Sequence, residues 1–255
     1  MTSVIDQVRV PQGASFVVHR AEDRGPTRFG WLDSRHSFSF GRYSNPEMMG
    51  FRALRVINDD RIAAGGGFPE HPHDNMEIVS YVVHGALAHK DSLGNGSTIH
   101  PGDIQWMSAG TGIRHSEFNP SETDPGRFLQ IWIIPDERGL TPDYAERATG
   151  VHDHPGELRT IVSPEGGEHA VRIRADVSID AGVFREGQSA TKAFGADRFG
   201  WIQVVRGDFE LTVAGPEGDG KSVSIGEGDG VELTAGTTIT LVAKGDAEAL
   251  VFDLA

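Results

Sequence analysis

The chain contains no cysteine. That absence removes disulfides, thiolate zinc sites and cysteine nucleophiles together, and it fits a reducing cytoplasm. Basic residues are scarce too: 23 Lys and Arg stand against 37 Asp and Glu, a net charge of −14 over 255 residues. Such a balance repels a phosphate backbone or an anionic membrane, and no local basic patch reverses it. No apolar run approaches the roughly 20 residues of a membrane span. The opening stretch MTSVIDQVRVPQG lacks the charged start and apolar core of a signal peptide. Phosphate-binding loops of the Gly-x-x-x-x-Gly-Lys-Ser/Thr type and nucleophile elbows are missing as well. The expectation is a cytoplasmic protein that touches neither nucleic acid nor membrane directly.

Helical periodicity is weak; TPDYAERA (141–148), with Thr141 as N-cap, is the best short helix. What is present instead is glycine, 33 residues of it, splitting short apolar runs. FRALRVIN, IVSYVVHG, LQIWIIP, GWIQVVRG, FELTVAG and LVFDLA read as strands, so an all-β sandwich or barrel architecture is expected. The two halves also resemble each other. YVVHGAL (81–87) matches QVVRGDF (203–209), and GDIQWMSAGT (102–111) matches GDGVELTAGT (228–237). Two barrels of one architecture follow, residues 1–135 and 161–255. A Pro-, Gly- and charge-rich linker, 136–160, joins them and holds the short helix.

The polar groups that stand out are in EHPHDNME (70–77) and GIRHSEFN (112–119). Side chains at i and i+2 of a strand share a face, so His71 pairs with His73, and His115 with Glu117. Pro72 blocks helix and keeps its neighbour extended. Two such strands meeting in space would gather three imidazoles and one carboxylate, a donor set for one divalent Fe, Mn, Co, Ni, Cu or Zn ion. A solvated polar loop is the plainer alternative, and the duplication bears on it. Aligning the glycines puts His71 and His73 opposite Ala193 and Gly195, and His115 and Glu117 opposite Leu241 and Ala243. The scaffold recurs and the polar groups do not, as expected of groups kept for chemistry. HDH (152–154) has no partner block and reads as a solvated loop, and His36 as a hydrogen-bonded structural residue.

GGGFPEHPHDNMEIVSYVVHG, followed by GDIQWMSAGTGIRHSE and preceded by HSFSFGRY, resembles the pirin family of the cupin superfamily. The resemblance is strong over residues 15–135 and looser beyond. It implies a bicupin, two tandem jelly-roll barrels with metal in the N-terminal one only, held by His71, His73, His115 and Glu117. The cupin pattern Gly-x5-His-x-His-x3-Glu also fits Gly65, His71, His73 and Glu77, though the spacing after Glu77 is one residue long. Glu77 is therefore placed beside the ion rather than on it. Bacterial relatives of this kind resemble quercetin 2,3-dioxygenases, which open a flavonol ring with dioxygen and release carbon monoxide. The partners implied are a small aromatic substrate and O2, with Glu117 as base and Glu77 as the alternative. Phe68, Met76, Phe118 and Trp106 are candidate walls. The competing readings are a non-enzymatic metal-binding regulator working through a protein partner, and another cupin reaction such as isomerisation or decarboxylation.

Overall fold

The structure is a computed structural model that describes residues 15–215 and 220–255; the opening MTSVIDQVRVPQG segment lies outside the described residues. Two compact units emerge. One comprises residues 24–149 and 164–176, the other the described parts of 15–23, 150–163 and 177–255. The expected linker, 136–160, straddles the division between Thr149 and Gly150. Among the described residues, no helix is long and apolar enough to cross a membrane.

The first unit is a jelly roll of two antiparallel sheets. Its larger sheet runs Asp143–Ala148, Asp103–Ser108, Glu77–His84, Gly126–Ile133, Leu54–Ile62, Leu32–His36, Gly25–Phe29. The smaller runs Gly67–His73, Ile113–Phe118, Leu87–Asp91, Gly96–Ile99. Leu32, Ile62, Val82 and Phe128 from the larger sheet meet Leu87 and Ile99 from the smaller. The second unit repeats this order. Phe16–His19, Gly230–Leu233, Phe199–Arg206, Ala247–Leu254, Val177–Phe184 and Arg159–Ser163 adjoin in one sheet, and Ser189–Ala193, Thr238–Ala243, Phe209–Ala214 and Gly220–Ile225 in the other. The bicupin architecture is thus confirmed. The aligned glycines share backbone conformation as well: φ is 75° at Gly85 and 69° at Gly207, 93° at Gly102 and 87° at Gly228. L-residues rarely adopt these angles, so the turns demand glycine in both copies.

The expected helix at 141–148 is not formed. Asp143–Ala148 is instead a strand at the edge of the larger sheet, with Tyr144 opposite Met107 and Ala145 opposite Trp106. A segment of two turns is too short to hold a helix by itself, and edge pairing satisfies its backbone groups. The helical content of this stretch is a 3-10 turn at Val151–Asp153. His152, Asp153 and His154 are exposed there, as expected of a solvated loop.

On the outer face of the larger sheet Asp59 is buried against three arginines. Arg127 chelates it at 2.8 and 2.9 Å, with Arg24 at 3.3 Å and Arg61 at 3.6 Å. Burial alone would raise this carboxyl, but the bond and charge of Arg127, with Arg61 and Arg24, hold it below the ordinary value. Asp59→Ala should therefore cost about 3–5 kcal/mol, because it strands buried guanidinium groups. The contribution is present above the unfolded carboxyl's ~3.9 and is lost as pH falls through the lower folded value. Urea unfolding of the variant at pH 7 and pH 3 checks both; an unchanged midpoint at pH 7 contradicts them.

Candidate metal centre

The ladder between Gly67–His73 and Ile113–Phe118 places His71 directly opposite His115. The register then slips, so that Glu117 faces Phe68. Such a bulge re-aims side chains locally. Gly67 makes the close approach possible, since a Cβ there would strike the Glu117 carbonyl and the Phe118 ring. The imidazole centroids of His71, His73 and His115 lie 4.5–4.9 Å apart, and one ring nitrogen from each falls within 4.8 Å of the others. Glu117 groups at the same limit with His115 and His89. The three expected histidines thus form one group, and Glu117 joins a second group with His115 and His89, the two groups sharing His115.

Hydrogen bonds set the tautomers. His71 Nδ1 lies 2.8 Å from the Pro69 carbonyl, which can only accept, so the proton is on Nδ1 and the lone pair on Nε2. His89 Nε2 faces the Asp91 carboxylate at 3.4 Å, and its Nδ1 receives the Gln105 amide at 3.1 Å. His115 Nδ1 lies 3.4 Å from the same His89 Nδ1. His115 Nε2 is left buried with no hydrogen-bond partner. A buried lone pair without a donor is costly in a closed core and useful on a cation. Burial, followed by the neighbouring His115 and His71 rings, pushes His73 down to about 4. Burial, followed by His71 and His89, pushes His115 down to about 3. Both are neutral at physiological pH, the form in which imidazole binds metal. The residues present fit a divalent transition ion.

Support comes from the opposite sheet. Ser80 donates to Glu117 Oε1 at 3.2 Å, and Gln130 Nε2 donates to Oε2 at 2.7 Å. Ser80 and Gln130 are cross-strand neighbours, and the single Ser80 hydroxyl proton is shared between Glu117 Oε1 and Gln130 Oε1, the latter at 2.7 Å. The inner face carries an unbroken polar rung, His36–Asn58–Gln130–Ser80–Gln105, with one residue from each of five strands. A cavity of about 960 Å³ opens onto the donors, lined by Phe29, Leu32, Phe40, Phe68 and Trp132 among others. Its aromatic rings meet one another and their neighbours edge to face: Phe68 on Trp31 behind it at 5.0 Å, Phe40 on Trp132 at 5.2 Å, Trp132 on His73 at 4.8 Å.

Several expected residues lie elsewhere. Glu77 alternates with Ser80 along its strand and so faces away from the cavity. There it accepts from Trp106 Nε1 at 2.8 Å, from Ser108 Oγ at 2.5 Å and from the Arg174 amide at 3.1 Å. This corrects its assignment as alternative base: it anchors Trp106, Ser108 and the 174 backbone outside the barrel. Trp106 goes with it and is no wall. Phe118 alternates with Glu117 and is exposed, while Met76 packs against Ile78, Met107 and Ile113. Only Phe68 of the four wall candidates lines the cavity. In the second barrel the ladder puts Ala190 opposite Leu241 and Lys192 opposite Ile239, so Ala190 and Lys192 stand at the histidine rungs rather than Ala193 and Gly195. Ile239, Leu241 and Ala243 are buried in that barrel's apolar core.

With fold and donor set in view, the class is a bicupin with a nitrogen-rich donor cluster in its first barrel. The pirin family pattern matches residues 18–133, and that of the quercetinase C-terminal cupin domain matches 160–254. A quercetin 2,3-dioxygenase of Escherichia coli (strain K12) is 41% identical over 237 residues, covering 93% of this chain and 97% of that protein. The chain belongs to the pirin family. The crystal structure of YhhW from E. coli superposes with a TM-score of 0.85 at 40% identity over 94% of this chain and 97% of that one. A second structure, described as bacterial pirin YhhW in complex with nickel(II), gives 0.84 at 40% identity over 94% and 98%.

Changing His71 or His115 to Ala should abolish retention of metal while the barrel stays folded; plasma mass spectrometry beside circular dichroism reads both, and full metal content in the variants contradicts the site. In the metal-free protein His73 and His115 titrate below the ~6.5 of the unfolded chain. Their contribution is intact above that pH and declines as pH falls toward 4 and 3, because the unfolded state takes up protons first. Thermal midpoints of the metal-free wild type should drop over this window more steeply than those of a His73→Ala/His115→Ala double variant; parallel profiles contradict the assignment.

Proposed function

We propose that His71, His73, His115 and Glu117 hold one divalent transition metal ion, and that the protein is a dioxygenase opening the central ring of a flavonol such as quercetin with O2. The observation that carries this reading is the meeting of three imidazoles, two of which, His71 and His73, line an aromatic-walled cavity of about 960 Å³ together with Glu117. That size suits a small planar substrate. The relative named as a quercetin 2,3-dioxygenase and the nickel complex of a pirin at 40% identity support it. When bound, the ion supplies Lewis acidity that stabilises an oxyanion.

The chain's own residues do the rest. Glu117, itself one of the four ligands, lines the cavity and takes the proton from the flavonol 3-hydroxyl on its carboxylate. Ser80 and Gln130 hold both its oxygens, so its plane is set before substrate arrives. Trp132, Phe40 and Phe68 bracket a flat ring system and keep water from it. His89, with Gln105 and Asp91 on its two nitrogens, orients His115 rather than binding the ion.

Metal-loaded protein in air should bleach the long-wavelength absorbance of quercetin, and Glu117→Gln should lower kcat by about 10²–10⁴-fold. Persistence of that band with each of Fe, Mn, Co, Ni and Cu bound contradicts the reaction. An undiminished rate in Glu117→Gln contradicts the base.

A further inference from the structure

The cavity holds a second carboxyl group. Asp60 lies on the inner face of Leu54–Ile62, 2% exposed, opposite Ser34 on one neighbouring strand and Phe128 on the other. It lines the cavity with Glu117, and nothing in the chemistry assigned to the ion uses it. Asn58 sits two residues away on the same face, next to the Gln130 that holds Glu117. His36 Nδ1 approaches Asn58 Oδ1 at 2.6 Å, and Thr27 Oγ1 lies 2.7 Å from His36 Nε2. The amide oxygen can only accept, so His36 carries its proton on Nδ1 and accepts from Thr27 on Nε2. Asn58 thus spends its oxygen on the protein and offers its NH2 to the cavity it lines.

The placement is costly. A carboxyl in a barrel core needs partners, and the second barrel fills its interior with Ile202, Val204, Val231, Ala249 and Val251. Burial, and then the charges of Asp59 and Glu117, push Asp60 up to about 7 against a lowering bond from Ser34. Side by side on one strand face, the Asp60 carboxyl supplies an acceptor and the Asn58 NH2 a donor to the same cavity. Phenolic hydroxyls match that pair of roles, whereas a bare aromatic ring gains nothing from it.

We propose that Asp60 and Asn58 form a specificity-determining pair that reads ring hydroxyls of the substrate, on the wall one strand beyond the residue orienting Glu117. The inference rests on the flavonol reading and names the feature that reading leaves open. Asp60 is not a metal ligand in it, and its substitution leaves the ion in place.

The test uses nickel-loaded full-length protein without oxygen, titrated spectrophotometrically with quercetin and with 3-hydroxyflavone, which keeps the metal-directed 3-hydroxyl and 4-carbonyl and lacks the other hydroxyls. The wild type should bind quercetin more tightly. Asp60→Leu should weaken quercetin about tenfold and 3-hydroxyflavone less than twofold, while Asp60→Asn, which still hydrogen-bonds, recovers most of the preference. Nickel content and thermal midpoint, measured on each variant, exclude a merely structural loss. Equal weakening of both ligands, or an unchanged preference in Asp60→Leu, overturns the inference alone. Failure of the wild type to bind either flavonol overturns the flavonol reading and this inference with it.

Discussion

The site depends on one ladder register. Gly67–His73 and Ile113–Phe118 pair so that His71 stands opposite His115, and a bulge then lets Glu117 turn inward opposite Phe68. A slip by one residue would send every donor on one strand to the outer surface. Gly67 enforces the approach of the two backbones, because any side chain there would collide with Glu117 and Phe118. Pro72, which cannot donate to a ladder, lies on the strand at the edge of the smaller sheet, where its missing N–H costs least.

Around that register the first barrel carries polar groups that a core ordinarily excludes. Each buried polar atom left without a partner would cost about 1–3 kcal/mol. The protein meets this by joining them across strands. Gln130 and Ser80 hold Glu117, Gln105 and Asp91 hold His89, and His36 holds Asn58. Three buried side-chain atoms of the described first barrel stay unpartnered, Gln105 Oε1, Trp132 Nε1 and His115 Nε2, and the last is the one a cation would satisfy. The second barrel shows the same topology with its interior closed by apolar side chains, aliphatic and phenylalanine. One fold therefore supports both a reactive chamber and a solid core, and the choice lies in the inward rungs of a few strands.

Much of this was legible in the sequence, and the rest was hidden for identifiable reasons. His-x-His and His-x-Glu announced themselves because alternation puts both members of each pair on one face. The repeated Gly-Asp and Ala-Gly-Thr blocks exposed the duplication because their turns need positive φ. The polar rung was not legible, since its residues come from five strands and adjoin only in the folded sheet. A lone polar residue within an apolar run is a partial signal, as with Gln130 in LQIWIIP and Ser80 in IVSYVV. Gln203 in WIQVV carries the same signal yet bonds to the Gly228 and Asp229 carbonyls of the second barrel. Glu77 and Trp106 misled because adjacency to the ligands in sequence says nothing about which face of the sheet they occupy. The 141–148 segment misled because edge pairing with Asp103–Ser108 outweighed a weak local preference.

The central claim is that a single ion is shared by side chains from two paired strands of the first barrel. Anomalous diffraction from a nickel-loaded crystal, recorded on both sides of the nickel edge, addresses it directly. The account predicts one peak per chain, bounded by the imidazoles of His71, His73 and His115 and the carboxylate of Glu117. A peak elsewhere, such as at the exposed His152 and His154, or no peak in the first barrel, would contradict it.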